Sequence, residues 1–490
     1  MRRLTLSATA LAASVSVSSS AFAAPPRTIY VRADGNDACT GTLNLPSNAI
    51  HLCAKRTIQA AVNAVAGRGT VKVGPGTFVE NVVLPKSVSV VGSGKGKTFV
   101  LPALSAPAPC ENSSLCNGQA SNVFLVKASD VKIQALTIDG DNPAKTGVTV
   151  AGGDVDARNG IIEDHLSGIY KRLIVEGVEV KNVYLRGINA ASEGGGFRFA
   201  DNVVTNVRGS QFSVGIFAFG GPGTISGNHV SLATDAIGVN QSRGVKITGN
   251  LVEQSASGIH IDNDDAPAPG VLLDLIEDNE VTDCTPGGLG IWFLLPLGNA
   301  VANSNQITQC DVGLALFGGG AESQVTFSAN TVTGTGAPGS TGIYVSTDAL
   351  GWGHFDTEAL FTVNTVTGFE TAAFVGEGDG KTATVYFDGG KLQGSLVGLD
   401  NGGTVSVDGA CFSSSATGLL NHEGASATVH GSHLGGSTTA GIQNLDSTPV
   451  NATENWWGSA TGPAPTGSGA AVLGPVTSTP HLATAPFACE

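Results

Sequence analysis

Methionine occurs once in 490 residues, charged residues make up only 13% of the chain, and aromatic residues 6%. Lys and Arg together number 25 against 40 Asp and Glu. So few cations cannot form the clustered positive surface that phosphate neutralisation needs, which excludes a nucleic-acid partner. No window after the first two dozen residues offers 18 uninterrupted apolar positions, so no transmembrane anchor is expected. Metal-type CxxC spacing is missing, and Leu-rich helical stretches are scarce, which points away from a bundle. What is present is a 41% hydrophobic share, enough for a sizeable core, and 68 glycines, about twice the usual proportion. The chain reads as strand and turn.

Residues 1–23 have the pattern of a signal peptide. Arg2 and Arg3 give the basic start, residues 4–17 a weakly apolar middle, and Ala21-Phe22-Ala23 an A-x-A cleavage site. Loss of the two arginines would take the net charge from −15 to −17. No cysteine follows the cleavage site to carry a lipid. The expected product is secreted, extracellular or periplasmic, and monomeric. Eight cysteines beyond the leader suit an oxidising compartment. Proximity or terminal position suggests pairing Cys39 with Cys53, Cys110 with Cys116, and Cys411 with Cys489.

The latter two-thirds of the chain repeats. An Asn followed by a polar or small residue and then an aliphatic one recurs at Asn202, Asn228, Asn250, Asn279, Asn305, Asn330 and Asn364. A second element, a small residue followed by Ile or Leu, keeps phase with it at Gly215-Ile216, Ala236-Ile237, Gly258-Ile259, Gly290-Ile291, Gly313-Leu314 and Gly342-Ile343. Between these markers lie strands of three to five residues with period-two alternation and no helical pattern. Such units fit an all-β solenoid in which each strand pairs with its counterpart one repeat later: a right-handed parallel β-helix. The recurring Asn is expected to occupy a left-handed turn position and to bond through its amide to the Asn above and below. Cys284 and Cys310 each lie five residues after a repeat Asn. Strands ~4.8 Å apart would bring them within disulfide reach.

Both ends of such a coil need covering. Thr57 to Ala66 carries a helical stripe at Ile58, Ala61, Val62 and Val65, with Thr57 as N-cap and Gly67 as stop, and is expected to plug the start. Asn455-Trp456-Trp457-Gly458 and the Pro- and Gly-rich stretch after it should close the other end, with the Trp pair as packing. The expected organisation is an extension over residues 24–56, the β-helix over 57–454 including its capping helix, and a cap over 455–490.

Residues 57–94 (TIQAAVNAVAGRGTVKVGPGTFVENVVLPKSVSVVGSG) resemble the opening of pectin-lyase-like right-handed β-helix proteins. NWWGSATGP at residues 455–463 is similar to the closing motif of many secreted β-helix repeat proteins. With the repeats, the resemblance spans roughly residues 28 to 485 and implies a polysaccharide-related surface. It carries over no particular reaction. The polygalacturonase set is represented only by Asp264-Asp265, and the pectin methylesterase and pectate lyase motifs do not occur.

If each repeat Ile faces inward, the next residue faces out. One outward column is then Phe217, Gly238, His260, Trp292, Ala315 and Tyr344, and its neighbour Phe219, Asn240, Asp262, Leu294, Phe317 and Ser346. Aromatics beside small residues would make a shallow groove for an extended glycan, with rings stacking on sugar faces and amides or carboxylates reading hydroxyls. A covering insertion would instead turn the same aromatics into secondary core. His260 beside Asp262, with Asp264 and Asp265 in the following turn, could supply acid/base groups for hydrolysis. The turn also offers oxygen ligands for Ca²⁺, or is simply a solvated acidic turn. For a lyase, Arg243 and Lys246 are the nearest basic candidates by phase. A second polar stretch, residues 153–159 with Glu163, Asp164 and His165, preceded by Asp139-Gly140-Asp141-Asn142, reads either as turn chemistry or as a site. The resulting expectation is a secreted protein that binds, and as an enzyme would cleave, an extracellular polysaccharide. The contrasting one is a non-catalytic adhesin or spacer.

Overall fold

The computed structural model describes residues 25–47, 51–111, 113–191, 195–242, 244–263, 273–296, 299–321 and 324–489. Among them the regular structure is almost entirely strand, wound into a right-handed parallel β-helix. One coil shows the plan. Val245–Thr248, Leu251–Glu253 and Ser257–Asp262 follow one another around the cylinder, each on its own parallel sheet. Lys246 pairs with Leu275, Val252 with Val281 and Ile259 with Ile291, one coil on. We call the three faces the first, second and third sheets.

The core is built by this register. On the third sheet Ile188, Ile216, Ile237, Ile259, Ile291, Leu314 and Ile343 are successive partners, and all are fully buried. Each such side chain contributes about 1.5–3 kcal/mol when removed from water. The small residue before it is required by the same stacking. A Cβ on Gly290 would lie 2.5 Å from the Gly313 carbonyl oxygen and 2.7 Å from the Ile307 side chain.

The repeat asparagines form an internal ladder. The Nδ2 of Asn202, Asn228, Asn250, Asn279, Asn305 and Asn330 each donates to the Oδ1 of the next, and every one of these bonds is 2.9 Å long. The same oxygens accept the backbone N–H of the preceding Asn. The amide reading therefore holds, and the left-handed reading shifts by one residue. The positive φ belongs to the residue before each Asn: Asp201, Gly227, Gly249, Asp278, Ser304, Ala329 and Val363. The tight corner turns there, which leaves the Asn side chain free to point inward along the axis.

The capping helix spans Ile58–Ala64, with Thr57 Oγ1 accepting the Ala60 N–H. It ends at Val65 in an extended conformation, and the left-handed residue is Arg68 where a stop at Gly67 was expected. The Ala66 N–H is taken by the Pro26 carbonyl, which draws the chain straight into the strand Gly69–Val73. Strand Thr28–Val31 pairs onto Gly69–Val73 and forms the first rung. At the far end Trp457 is fully buried, and coil pairing continues past residue 454, Gly469–Leu473 against Ala440–Asn444 and Val476–Thr477 against Val450–Asn451. All four expected disulfides are present; Cys284 and Cys310 have Cα atoms 4.7 Å apart on consecutive coils.

Replacing Asn279 by Ala removes an acceptor for the Asn250 amide and donors to Ile247 and Asn305. Orphaning buried amides costs about 1–3 kcal/mol. Chemical denaturation should show a loss in that range, whereas Asn303→Ala, on the outer side of the first sheet, should lose less than half as much.

Candidate functional site

The third sheet carries the residues that chemistry could use. Inward Ile alternates with outward positions, and the register aligns these as expected from the sequence: Phe217, Gly238, His260, Trp292, Ala315 and Tyr344 are consecutive partners, as are Phe219, Asn240, Asp262, Leu294, Phe317 and Ser346. Exposure divides these columns. Trp292 is only 9% exposed, and with Leu294, Ala315, Phe317 and Ala349 it forms a second apolar cluster outside the main core. The open groove expected along the whole face is therefore closed at Trp292, because Ala349 and Leu295 from the connecting segments pack over the stack. Phe217, Asn240, Asp262 and Tyr344 remain partly accessible on either side.

At the amino-terminal side of that closure the outward residues become polar. A third column runs through Arg186, Val214, Asp235 and Ser257. The Arg186 guanidinium lies over the Phe217 ring, 4.5 Å from its centroid, and donates from Nη1 to the Phe212 carbonyl at 2.6 Å; its Nε is buried without a partner among the described residues. His260 is 5% exposed and stacks on Trp292 at 4.3 Å, and its Nδ1 has no hydrogen-bond partner among the described residues. The ring fits because position 238 is glycine: a Cβ there would come 2.7 Å from the imidazole. The Trp292 indole N–H donates to Ser257 Oγ at 2.9 Å, and Ser257 is in turn hydrogen-bonded to Asp235. Asn240 Nδ2 donates to Asp262 at 3.4 Å. Beside Arg186 a cleft of about 250 Å³ opens between Phe212 and the loop closed by Cys110–Cys116, lined also by Glu111, Ser113, Ser114 and Leu185. A larger hollow of about 570 Å³ against the first sheet, around Glu358 and Tyr386, brings together no comparable polar set among the described residues.

Burial sets the electrostatics. Desolvation pushes the Asp235 carboxyl up to about 6, opposed by Arg186 and Ser257 and reinforced by Asp262. Desolvation also lowers Arg186 to about 10, with Asp235 opposing, and it lowers His260 to about 3, with Arg186 adding to the effect. At neutral pH the imidazole is uncharged and very weakly basic, which works against the general-base role expected of His260. Of the three groups, only Asp235 lies near the neutral range.

The other expected site residues are scattered. Lys246 stands exposed on the first sheet between Thr224 and Leu275, a different face from His260. Arg243, Asp264 and Asp265 lie outside the described residues, so the acid/base and Ca²⁺ expectations for that turn rest on Asp262 alone. Arg186 and Asp235 were not anticipated, although the signal was present. The small-residue–Ile pair occurs one coil earlier at Gly187-Ile188, and the residue two before each such Ile would have given Arg186, Val214, Asp235 and Ser257 as a column.

Among known proteins, the family model for NosD, described as a periplasmic copper-binding protein, matches residues 188–372. No curated protein matches the sequence. The tailspike protein of E. coli bacteriophage HK620, solved with a pentasaccharide, is similar in structure with a TM-score of 0.51 at 12% identity, over 82% of this chain and 75% of that one. A double mutant of the periplasmic alginate epimerase AlgG aligns with a TM-score of 0.44 at 12% identity, over 70% and 74% of the two chains. The A-module of the Azotobacter vinelandii mannuronan C-5 epimerase AlgE6 aligns with a TM-score of 0.39 at 13% identity, over 86% and 92%. At 12% identity the tailspike likeness shows the β-helix fold alone. Among the described residues no helix is long and apolar enough to cross a membrane.

The depressed His260 makes a signed prediction. As pH falls below about 6.5 the unfolded chain takes up a proton there that the folded chain refuses until about pH 3, so stability falls with acidity across that window. Asp235, raised in the fold, acts oppositely: its stabilisation is full below the unfolded value and lost as pH rises through about 6. His260→Gln removes only the first effect. Denaturant titrations at pH 7 and 4.5 should show wild type losing about 1–3 kcal/mol more than the variant.

Proposed function

We propose that this chain, a right-handed parallel β-helix, is exported from the cytoplasm and binds an extracellular polysaccharide on the amino-terminal half of its third sheet. The observation that carries the reading is that one sheet face bears, in adjacent columns, a partly accessible aromatic, Phe217, with Arg186 stacked on it at the edge of an open cleft, and Asp235, Asn240 and Asp262 on the following coils. A partly apolar face with a few convergent polar groups suits a sugar ring, whose C–H face packs on an aromatic plane and whose hydroxyls bond to amides and carboxylates. The cleft is small, below the ~300 Å³ of ordinary ligand pockets, and suits one ring of a chain lying along the sheet. The pentasaccharide complex of the tailspike with the same fold supports this reading by analogy only. Four disulfides support an oxidising compartment. With 40 acidic residues against 25 basic ones, a neutral or lightly charged glycan is the better match.

Copper, which the name of the matching family brings to mind, does not fit the donors present. All eight cysteines are in disulfides, Met1 is the only methionine, and among the described residues the sole grouping of potential metal ligands contains no imidazole or sulfur.

One further observation favours cleavage over binding alone. The Asp235 carboxyl is pushed up to about 6 by burial, with the Asp262 charge adding to the rise, which supports a general-acid role in glycoside hydrolysis. Binding should be measured by glycan array and calorimetry, and turnover by release of reducing ends and of unsaturated uronides. Phe217→Ala and Asn240→Ala should weaken binding about tenfold, or about 1.4 kcal/mol, while Lys246→Ala leaves it within twofold. Asp235→Asn should abolish reducing-end release while retaining binding. Absence of glycan binding by the wild-type protein would leave the spacer reading.

A further inference from the structure

The hairpin formed by Val148–Val150 and Gly153–Val155 is a two-stranded antiparallel excursion from the parallel coils, and its base is acidic. Asp156, at its exit, is fully buried. Its Oδ2 accepts the Asn142 N–H at 2.8 Å, while its Oδ1 is buried with no hydrogen-bond partner among the described residues. Buried carboxylates are normally paired or coordinated to a metal. The neighbouring Asp154 carboxylate accepts the Gly147 N–H through both oxygens, at 3.0 and 3.2 Å, and a Cβ on the same Gly147 would lie 2.9 Å from Asp156 Oδ1. The unpartnered oxygen thus faces the residue that Asp154 grips. Asp141, on the turn after strand Thr137–Asp139, completes the group: one carboxylate oxygen from each of Asp141, Asp154 and Asp156 lies within 4.8 Å of the others.

The geometry points to a divalent-cation site at Asp141, Asp154 and Asp156 that takes a hard, oxygen-preferring ion, Ca²⁺, and pins the hairpin to the coil. Two oxygens each ~2.4 Å from one Ca²⁺ can be no more than about 4.8 Å apart, which these three satisfy. The donors are all carboxylate oxygens, the set that suits Ca²⁺ over Cu²⁺ or Zn²⁺. Among the described residues no Lys or Arg forms an ion pair with any of the three; the nearby Lys181 is paired with Asp139, at 3.2 Å. This site is separate from the polysaccharide face and does not depend on it.

The test uses the whole mature protein stripped with a chelator and then titrated with Ca²⁺ by calorimetry, with thermal unfolding in parallel. One site with a Kd in the range of about 0.1–1 mM, common for extracellular modules, and a rise in Tm are expected. Asp141→Asn and Asp154→Asn, which keep shape and sit at partly exposed positions, should each weaken binding at least tenfold with an unchanged circular dichroism spectrum; Asp262→Asn should not. No Ca²⁺ binding by the wild type at ten times that range would overturn the proposal. So would binding that the two variants leave intact, or that Asp262→Asn removes.

Discussion

The molecule depends on one constraint: every coil must lie in register over the one before it. Parallel pairing alone does not fix that register, since a strand slipped by two residues keeps its inward and outward faces. The asparagine ladder fixes it. Each Asn from 202 to 330 bonds both the side chain and the backbone of its neighbours, and a slip of even one coil would leave several buried amides unpaired at once. The ladder runs along the corner between the first and second sheets, where the left-handed residue before each Asn turns the chain. Backbone conformation and side-chain bonding are thus assigned to adjacent positions, and the residue in the left-handed position can vary from Gly to Val while the Asn does not.

Register then determines what the outer surface can be. Since equivalent positions stack at strand spacing, a column of outward residues becomes a continuous strip whose character changes only where the residues do. On the third sheet the strip is largely apolar from Trp292 to Tyr344, and the connecting segments fold over it to form the second cluster. Before Trp292 polar side chains stand among Val214, Phe217 and Phe219, and the Arg186, Asp235 and His260 groups share a half-enclosed space in which none is free to be fully hydrated. Trp292 belongs to both halves. Its ring packs with Phe317 and carries His260, while its N–H reaches Ser257 and through it Asp235.

The fold was legible because its signal is repetition: seven Asn markers and six small-residue–Ile pairs, each weak alone, agree in phase. The disulfide between Cys284 and Cys310 and the two outward columns followed from that phase with no further information. Exposure did not follow. Whether Trp292 faces solvent depends on where the segments carrying Leu295 and Ala349 fold, and loops between coils have no period from which to read it. Arg186 was missed because it lies a coil before the marker series began, and Asp235 because it precedes the small residue of its own pair. Lys246 follows from phase on the preceding coil, but its strand belongs to the first sheet, another face from His260.

The opposite shifts of Asp235 and His260 have one origin, and they bear on what the face can do. Removing either group from water disfavours its charged form, so the acid becomes harder to ionise and the base harder to protonate. Arg186 opposes the first shift and deepens the second, because a fixed positive charge favours a carboxylate and repels an imidazolium. At neutral pH the cluster therefore consists of a cation, a carboxyl that can hold or release its proton, and a neutral ring with an unfilled nitrogen. Such a set can offer and accept hydrogen bonds to hydroxyls while keeping one proton in reserve.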